Sequence, residues 1–585
     1  MAEIGKRVEK LLAEYPVWRR WTLADFFDQA AEKYADRPYI LTEDKEYSYG
    51  ETRRIADTLA RGYLQMGIRP RDHVALLIGN LPEFVFNLLA LLKIGAVTIT
   101  INTKLREKEL EFILRDSDAV LLVANDKLGN SDYTKILGSF LHSVDFDETP
   151  DKGGYEGFPY LKNILIYSPE GKAYPHTFTL DQVLEWGKKA DDSKRARVQK
   201  QTAYPDESCL IMYTSGTTAI PKGAVLTHDM LLRGSFASAL ARGYQDGRRI
   251  YFPLPLYHIF AIEQAFAAVL FVGGCMITHT QFTPQGALAL IEKHKAYEML
   301  GVPSIMMALL NCPERKKYDL SSLKAAMIAA APAPVPLWKR AADELALTET
   351  CTGYGMTEVA GAGTIAKPGD APENLSTRVG RAMFGGSAGM EELGGKVIQY
   401  KTVDPITGRD LKPGTEGEFA CRGPIVIRGY YKRPQENADL IDKDGWLRTG
   451  DLGIIHPDGQ FQLTGRSKEI YRAFGENVMP KEVEEHISTY SKVSQVYVVG
   501  VDDRIAGNIG AAFIEPKPGE TITRDEIIRH CRNGLAKFKV PRYVFSVKVE
   551  ELPFTATGKV QKFKLVQMAE DRIKSMAGSR DDESE

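Results

Sequence analysis

The chain has no long apolar run, no paired cysteines and no excess of either charge, and each absence removes a class of function. Its most apolar stretch, Phe84 to Thr100, is broken by Asn87 and Lys93 and is too short to span a bilayer. The N-terminal MAEIGKRVEKLLAEYPVWRRW is charged throughout and holds no apolar core of signal-peptide length. A soluble, cytoplasmic protein is expected. Trp18, Trp21 and the neighbouring arginines leave open a peripheral contact with a membrane surface, and a helix docked on its own domain is the plainer reading. Cys209, Cys275, Cys312, Cys351, Cys421 and Cys531 are scattered without a CxxC pair, which fits free thiols in a reducing compartment better than disulfides or a zinc site. The formal net charge is -2, so no basic surplus points to a nucleic-acid partner.

What is present is ordinary in composition and long. Hydrophobic residues make up 44% and charged residues 26%, as in globular proteins. A length of 585 residues exceeds what one core serves, so two or more domains are expected. In TLADFFDQAAEKYADRPYI, Thr22 can cap a helix whose Leu23, Phe26, Phe27, Ala30 and Tyr34 share one face. HVALLIGN reads as a buried strand, FVFNLLALLKIG as a helix and AVTITIN as a further strand, a βαβ rhythm that predicts parallel sheets. Asp145 to Tyr160 and Lys188 to Asp206 read as surface excursions. From Gly417 to Gln462 short strands alternate with glycine turns, and from Pro480 onward helical and strand patterns return in a small α/β domain. The terminal SRDDESE reads as a disordered tail.

The most informative segment is YTSGTTAIPKG, Tyr213 to Gly223. It gathers the hydroxyls of Tyr213, Thr214, Ser215, Thr217 and Thr218 with Gly216, Gly223 and Lys222. Glycines admit backbone N–H groups close to an anion, hydroxyls donate to its oxygens, and a lysine adds a mobile positive charge. That is a cradle for a polyphosphate. It is not the Walker loop GxxxxGK[ST], because Gly223 follows the lysine and the hydroxyls precede it. A polar turn between two strands is the bland alternative for a lone loop of this kind.

The loop is not alone. PLPLYHIF (Pro253 to Phe260), AAAPAP (Ala329 to Pro334), GYGMTE (Gly353 to Glu358), GEFACRG (Gly417 to Gly423), GWLRTGDLG (Gly445 to Gly453), LTGRSKEI (Leu463 to Ile470) and LPFTATGKV (Leu552 to Val560) follow in order. Together they resemble the adenylate-forming superfamily, and the fatty acyl-CoA synthetase branch most of all. The resemblance implies an α/β fold: a large N-terminal domain of α/β subdomains with a β-barrel-like part, and a small mobile α+β C-terminal domain. The implied boundaries are 1–465, 466–570 and a tail at 571–585. It also implies ATP, Mg²⁺ and coenzyme A as the cofactors and cosubstrates. The implied partners are a small-molecule carboxylic acid and CoA, with no nucleic acid, and a homodimer is left open.

The chemistry implied has two steps: a carboxylate attacks the α-phosphate of ATP and expels pyrophosphate, then a thiol displaces AMP. The first step joins two anions, so the site must neutralise charge and orient the reactants. By the resemblance, Thr214, Ser215, Gly216, Thr217, Thr218 and Lys222 hold the outer phosphates. Ala219 stands where many relatives have glycine, at a cost of about 1 kcal/mol if that position needs positive φ. Ala331 and Pro332 line the adenine on one side and Tyr354, Gly355 and Met356 border it on the other, while Thr357 reaches the α-phosphate. Glu358 is the single expected magnesium ligand, as Mg²⁺ takes few protein groups beside phosphate and water. Asp451 and Arg466 serve the ribose, Lys559 bridges the carboxylate and the α-phosphate, and Lys468 is the hinge. His258 stands between the acyl pocket and the thiol path, and Arg472, Phe474 and Gly475 line the pantetheine path. Glycine is commoner among relatives at Ala329 and Ala330, and glycine or lysine at Phe474.

For the acid, Val359 to Thr364 (VAGAGT) is built almost wholly of small residues and holds no lysine or arginine for a second carboxylate. In relatives this region borders the acyl pocket, so a medium- or long-chain fatty acid is expected, with a cyclic or aromatic acid as the nearest rival. An enzyme that loads a carrier protein and a non-catalytic nucleotide-binding relative are the competing classes. The glycine-rich MFGGSAGMEELGG, Met383 to Gly395, has no reading from sequence.

Overall fold

The computed structural model describes residues 2–141, 155, 157–202, 204–214, 221–474, 476–503, 506–554 and 560–581. The chain packs as two units: Met1–Gln399 with Cys421–Leu447, and Tyr400–Ala420 with Arg448–Glu585. The sequence put the boundary near Gly465. Packing groups the glycine-punctuated strands before that point with the C-terminal part.

Unit one is built on two seven-stranded sheets. In the first, the order is Lys222–Thr227, Ser208–Thr214, Val97–Thr100, His73–Leu77, Leu121–Asn125, Asn163–Tyr167, Phe178–Thr179. All neighbours are parallel except the outer hairpin of Ser208–Thr214 (β1) with Lys222–Thr227 (β2). Helix His228–Ala241 (α1) follows β2, capped by the Thr227 side chain. The second sheet runs Glu349–Cys351, Ala325–Ile328, Glu298–Gly301, Arg249–Tyr251, Cys275–Ile277, Pro38–Leu41, Glu46–Ser48, parallel but for the last pair. Arg249–Tyr251 is β3, Ala325–Ile328 β4 and Glu349–Cys351 β5.

Local chemistry explains the expected elements. Thr22 accepts from Asp25 N at the start of helix Leu23–Lys33, and Leu23, Phe26, Phe27, Ala30 and Tyr34 are buried. The apolar stretch after Pro82 divides into helix Pro82–Lys93 and strand Val97–Thr100. Its two polar interruptions are both buried and both partnered. Asn87 donates to Glu83 O at 2.7 Å, and Lys93 pairs with Asp57 at 2.9 Å and with Asp28. Part of the expected excursion before the phosphate loop is helix Asp192–Gln201, whose Arg195 pairs with Asp192 at 2.7 Å. Among the described residues no helix is long and apolar enough to cross a membrane.

The N-terminal helix Ala2–Glu14 docks on unit one through Arg7, 2.5 Å from Glu349, and buried Leu11. Trp18 donates to Asp229 at 3.0 Å and lies under the Arg233 guanidinium. The glycine-rich stretch unread from sequence receives this segment. Gly386, at φ +54, leaves room for Leu12, and Ser387 donates to Tyr15 O at 2.7 Å.

A small antiparallel sheet, Gly353–Met356 (β6), Gly361–Ile365 (β7) and Arg381–Ala382, completes unit one. Unit two carries an open four-stranded sheet in the order Gln399–Val403, Gly417–Arg422, Leu447–Ile455 (β8), Phe461–Arg466 (β9). Among the described residues no sheet closes on itself, so the expected barrel-like part is these open sheets; a small barrel takes roughly five to eight strands. The second sheet of unit two has Gly507–Pro516 between Tyr471–Ala473 and Val493–Asp503, with Tyr543–Ser546 parallel beside it. Alternation along these strands sends Val498, Ala512 and Ile514 to one core with Val483 and Ile527, and Val499, Ala511 and Phe513 to another. Leu565 and Ala569 of helix Lys562–Asp581 (α2) fill that second core. The expected tail from residue 571 is therefore mostly helix, because Ile573 continues the apolar face set by Leu565 and Ala569.

Candidate functional site

In unit one the predicted motifs meet at the carboxyl ends of parallel strands, where open α/β sheets bind ligands. PLPLYHIF follows β3, AAAPAP follows β4, GYGMTE follows β5, and the phosphate loop follows β1. The two sheets are tied there by side chains. Asn80 donates to Leu254 O and accepts from Leu256 N, both at 2.9 Å, and Thr100 donates to Tyr257 O at 2.9 Å.

The hairpin sets Thr214 opposite Lys222 and closes the mouth of the phosphate loop. Ser215, Gly216, Thr217, Thr218 and Ala219 lie outside the described residues. Tyr213, counted among the loop's hydroxyls from sequence, instead donates to Asp116 at 2.7 Å; burial, with Asp116 beside it, pushes its pKa well up. Lys222 Nζ lies 3.7 Å from Glu436 and 5.5 Å from the centre of the Tyr430 ring. The Tyr430 hydroxyl donates to Glu358 Oε1 at 2.8 Å. Tyr430 therefore links the phosphate-loop lysine to the expected magnesium ligand, and its backbone is held to β2 by Tyr431 N donating to Gly223 O at 2.8 Å. Sequence reading missed both Tyr430 and Glu436. Only the aromatic pair in GYYKRPQE signals them, and no spacing rule connects it to Glu358.

GYGMTE is strand β6 followed by the tight turn Thr357–Val359. Tyr354 is buried, with its N–H on Thr364 Oγ1 at 3.2 Å, and Gly355 presses so closely on Gly361 O that a Cβ would collide. Thr357, Gly355 and Met356 are half-exposed, whereas Glu358 is buried. In AAAPAP, Ala331 is half-buried and Pro332 exposed. Ala330 sits at φ +70, a conformation natural to glycine, which accounts for the glycine common at this place. His258 caps the short helix Ile259–Ala261 by accepting Phe260 N on Nδ1 at 3.2 Å, so the neutral ring carries its proton on Nε2. Strand β7, the small-residue stretch expected at the acyl pocket, is buried along its length and packs on α1 and the His258 helix.

Among the described residues no cluster of three or more His, Cys, Asp or Glu could hold a metal ion. One carboxylate, fixed by a phenol beside a phosphate loop, fits Mg²⁺, which leaves its other positions to phosphate and water. Two clefts of about 530 and 240 Å³, lined by Arg315, Tyr318 and Glu344 and by Arg7, Tyr244 and Asp246, touch none of the predicted residues. Chemistry, rather than volume, identifies the site.

Unit two holds the remaining predicted residues. Asp451 is buried on β8 opposite Arg466 on β9, whose Nε lies 2.8 Å from its Oδ1. Buried Glu418, from GEFACRG, accepts Gly450 N at 2.9 Å and pairs with Arg448, fixing the RTGDLG strand. Lys468 falls in the turn Ser467–Glu469 that follows β9. Arg472 is exposed on Tyr471–Ala473. Phe474 is 64% exposed at φ +54, again a glycine-like conformation. Gly475 and Lys559 lie outside the described residues. Beyond Lys559, Lys562 bridges Glu469 at 2.8 Å and Glu484 at 2.7 Å; burial works against its charge, and the two glutamates more than offset it, so its pKa is raised.

A model of the AMP-binding enzyme family matches residues 27–431, and one of the AMP-binding enzyme C-terminal domain matches 482–559. The 3-[(3aS,4S,7aS)-7a-methyl-1,5-dioxo-octahydro-1H-inden-4-yl]propanoyl:CoA ligase of Mycobacterium tuberculosis is 31% identical over 542 residues, covering 92% of this chain and 97% of that protein. A mitochondrial medium-chain acyl-CoA ligase of Mus musculus is 28% identical over 560 residues, covering 94% of this chain and 88% of that protein. The crystal structure of ATP-bound MatB from Rhodopseudomonas palustris matches with a TM-score of 0.77 at 25% identity, over 94% of this chain and 99% of that one. The family match spans the same residues that the two parallel sheets gather at their carboxyl edges, and this chain belongs to the AMP-binding enzyme family.

Proposed function

We propose that the protein is an ATP-dependent acid–CoA ligase acting on a medium- or long-chain fatty acid. The acid's carboxylate oxygen attacks the α-phosphorus and pyrophosphate leaves; the CoA thiol then attacks the acyl carbon and AMP leaves. The observation that supports this reading most is the Tyr430 link between Lys222 and Glu358, the two groups that the reading assigns to the polyphosphate and its metal. Glu358 would hold Mg²⁺, which when bound neutralises phosphate charge. Lys222 and Thr214 serve the outer phosphates, and Thr357 the α-phosphate. Tyr354, Ala331 and Pro332 border the adenine, and Asp451 with Arg466 takes the ribose hydroxyls. Lys559 steadies the incoming carboxylate, as a flexible ammonium can in both ground and transition states. Arg472, Phe474 and Gly475 serve the pantetheine arm, and His258 the passage between acyl group and thiol.

A fatty acid is supported by the absence of lysine and arginine from Val359 to Thr364 and by the medium-chain relative. A ring-bearing acid is the second reading, supported by the indenyl-propanoyl relative at 31% identity. The deciding experiment is AMP release across C2–C18, cyclic and aromatic acids, with and without CoA. Acyl-CoA formed with a peak on a straight-chain acid supports the proposal. A peak on a cyclic acid favours the second reading, and pyrophosphate exchange without acyl-CoA points to a carrier-protein acceptor. No turnover on any acid overturns both readings.

A further inference from the structure

Shortly after His258 the chain enters a π-helical turn, Ile262–Ala267, that buries Glu263 completely. Turns of this kind are rare and concentrate at functional sites. Glu263 Oε2 accepts the N–H of Ala362 at 2.7 Å, and among the described residues Oε1 has no hydrogen-bond partner. Among the described residues Glu263 makes no salt bridge. Arg242, at the C-terminal cap of α1, is already paired with Glu298 at 2.6 Å.

Ala362 belongs to the strained connection that leaves the Thr357–Glu358 turn. Ala360 sits at φ +56 and Gly361 at φ +124. Ala360 N closes the turn on Thr357 O at 3.0 Å, and the next fixed point is the Ala362 N–H on Glu263. Gly361 lies so close to the Glu263 carboxyl that a Cβ there would collide with Oε2. An alanine in the left-handed region persists only where its surroundings over-determine it. Two anchors meet that need: Glu358 O accepting Ile427 N at 2.9 Å before the strained residues, and Glu263 after them.

We propose that Glu263 is a positioning residue for the nucleotide–magnesium site: by holding the Ala362 N–H it fixes the turn that presents Thr357 and Glu358. The inference rests on the function proposed above. It assigns work to a residue outside every motif read from the sequence, and that work is done by a hydrogen bond, not by contact with the reacting atoms.

The test is ATP binding by calorimetry, with and without Mg²⁺, on the full chain and on Glu263→Gln and Glu263→Leu, each checked for native circular dichroism. Glutamine keeps an oxygen for Ala362, so its Mg²⁺-linked gain in affinity should match wild type within about twofold. Leucine removes the acceptor and orphans the N–H, so the Mg²⁺-linked gain should shrink about tenfold. A folded leucine variant with the full Mg²⁺-linked gain overturns the proposal, as does a glutamine variant as impaired as leucine. Glu263→Met, whose flexible chain refills the space, replaces leucine if that variant does not fold. If neither folds, Glu263 is a folding element only and the proposal fails. A wild-type protein that binds ATP with Mg²⁺ and yet activates no acid defeats the functional reading, while the variants still decide this one. A wild-type protein without Mg²⁺-linked ATP binding overturns both.

Discussion

Glu298 and Glu263 are both fully buried in unit one, and the molecule treats them in opposite ways. Glu298 sits between Arg242 at 2.6 Å and Arg248 at 2.9 Å, and the Tyr244 ring lies 4.7 and 4.6 Å from the two guanidiniums. Burial alone would push its carboxyl up; the two arginines more than reverse that and hold it below the usual carboxylate range. Glu263 accepts one backbone N–H, and among the described residues it has no paired cation. Burial pushes it up to about 8, and the Ala362 N–H, the Gln264 side chain and the charge of Arg242 offset only part of the effect. The first is a charged structural knot behind the second sheet. The second is pushed towards its neutral form by burial and lies beside the turn that carries Thr357 and Glu358. A buried carboxyl with complete ionic pairing belongs to the scaffold here, and one left without a counter-ion stands next to the chemistry.

Breaking the scaffold side should have the largest effect. Glu298→Leu takes the carboxylate partner from buried Arg242 and leaves Arg248 only the longer contact with Glu349 at 3.8 Å, which costs about 3–5 kcal/mol. The denaturant transition of unit one should move accordingly. A loss under about 1 kcal/mol would show that the arginines relax to other partners and that the knot is not structural.

The pH dependence of stability sharpens the contrast next. A carboxyl whose folded-state pKa rises from 4.5 to about 8 keeps its proton on folding. Its contribution is whole below pH 4.5 and falls as pH rises towards 8, by about 1.4 kcal/mol per pH unit. Glu263→Gln removes this titration. Stability curves of wild type and variant should diverge with that slope between pH 4.5 and 8 and run parallel above it. Parallel curves throughout would mean that Glu263 is ionised in the folded protein. Glu298 contributes with the opposite sign, because its depressed carboxyl loses stability only as pH falls below the ordinary carboxylate range.

Tyr430→Phe acts on the functional side alone. It deletes the hydroxyl on Glu358 and keeps the ring near Lys222. A hydrogen bond to a charged group is typically worth about 1.5–3 kcal/mol, so KM for ATP with Mg²⁺ should rise roughly tenfold while thermal stability changes little. An unchanged KM would remove Tyr430 from the site.

Much of this was legible in the sequence because local patterns carried it. The Thr22 cap, the helix and strand after Pro82, the alternating strands of unit two and the order of the motifs all depend on near neighbours in the chain. What stayed hidden is tertiary. Tyr430 reaches Glu358 across 72 positions and Glu263 reaches Ala362 across 99, and neither pair has a spacing rule. Whether the barrel-like part closes stayed hidden for a related reason: glycine turns announce short strands but not whether the sheet closes. The expected tail became helix because charged residues near its end masked the apolar face begun by Leu565 and Ala569.

The smallest effect concerns the glycine-to-larger departures, and here the two units differ. Ala330, half-buried at φ +70, sits in the loop after β4, while Phe474, at φ +54, is exposed in unit two with its N–H on Ala506 O at 2.8 Å. Left-handed backbone costs a residue with a Cβ roughly 1–2 kcal/mol, and glycine returns part of that as unfolded-state entropy. Ala330→Gly should therefore stabilise unit one by no more than about 0.5–1 kcal/mol, read as a small upward shift of that unit's unfolding transition. Phe474→Gly should give a similar gain in unit two, since an exposed ring buries little there. A loss in either case would mean that the side chain, and not the backbone, was selected: at Ala330 for the adenine wall, and at Phe474 for the path of the thiol arm.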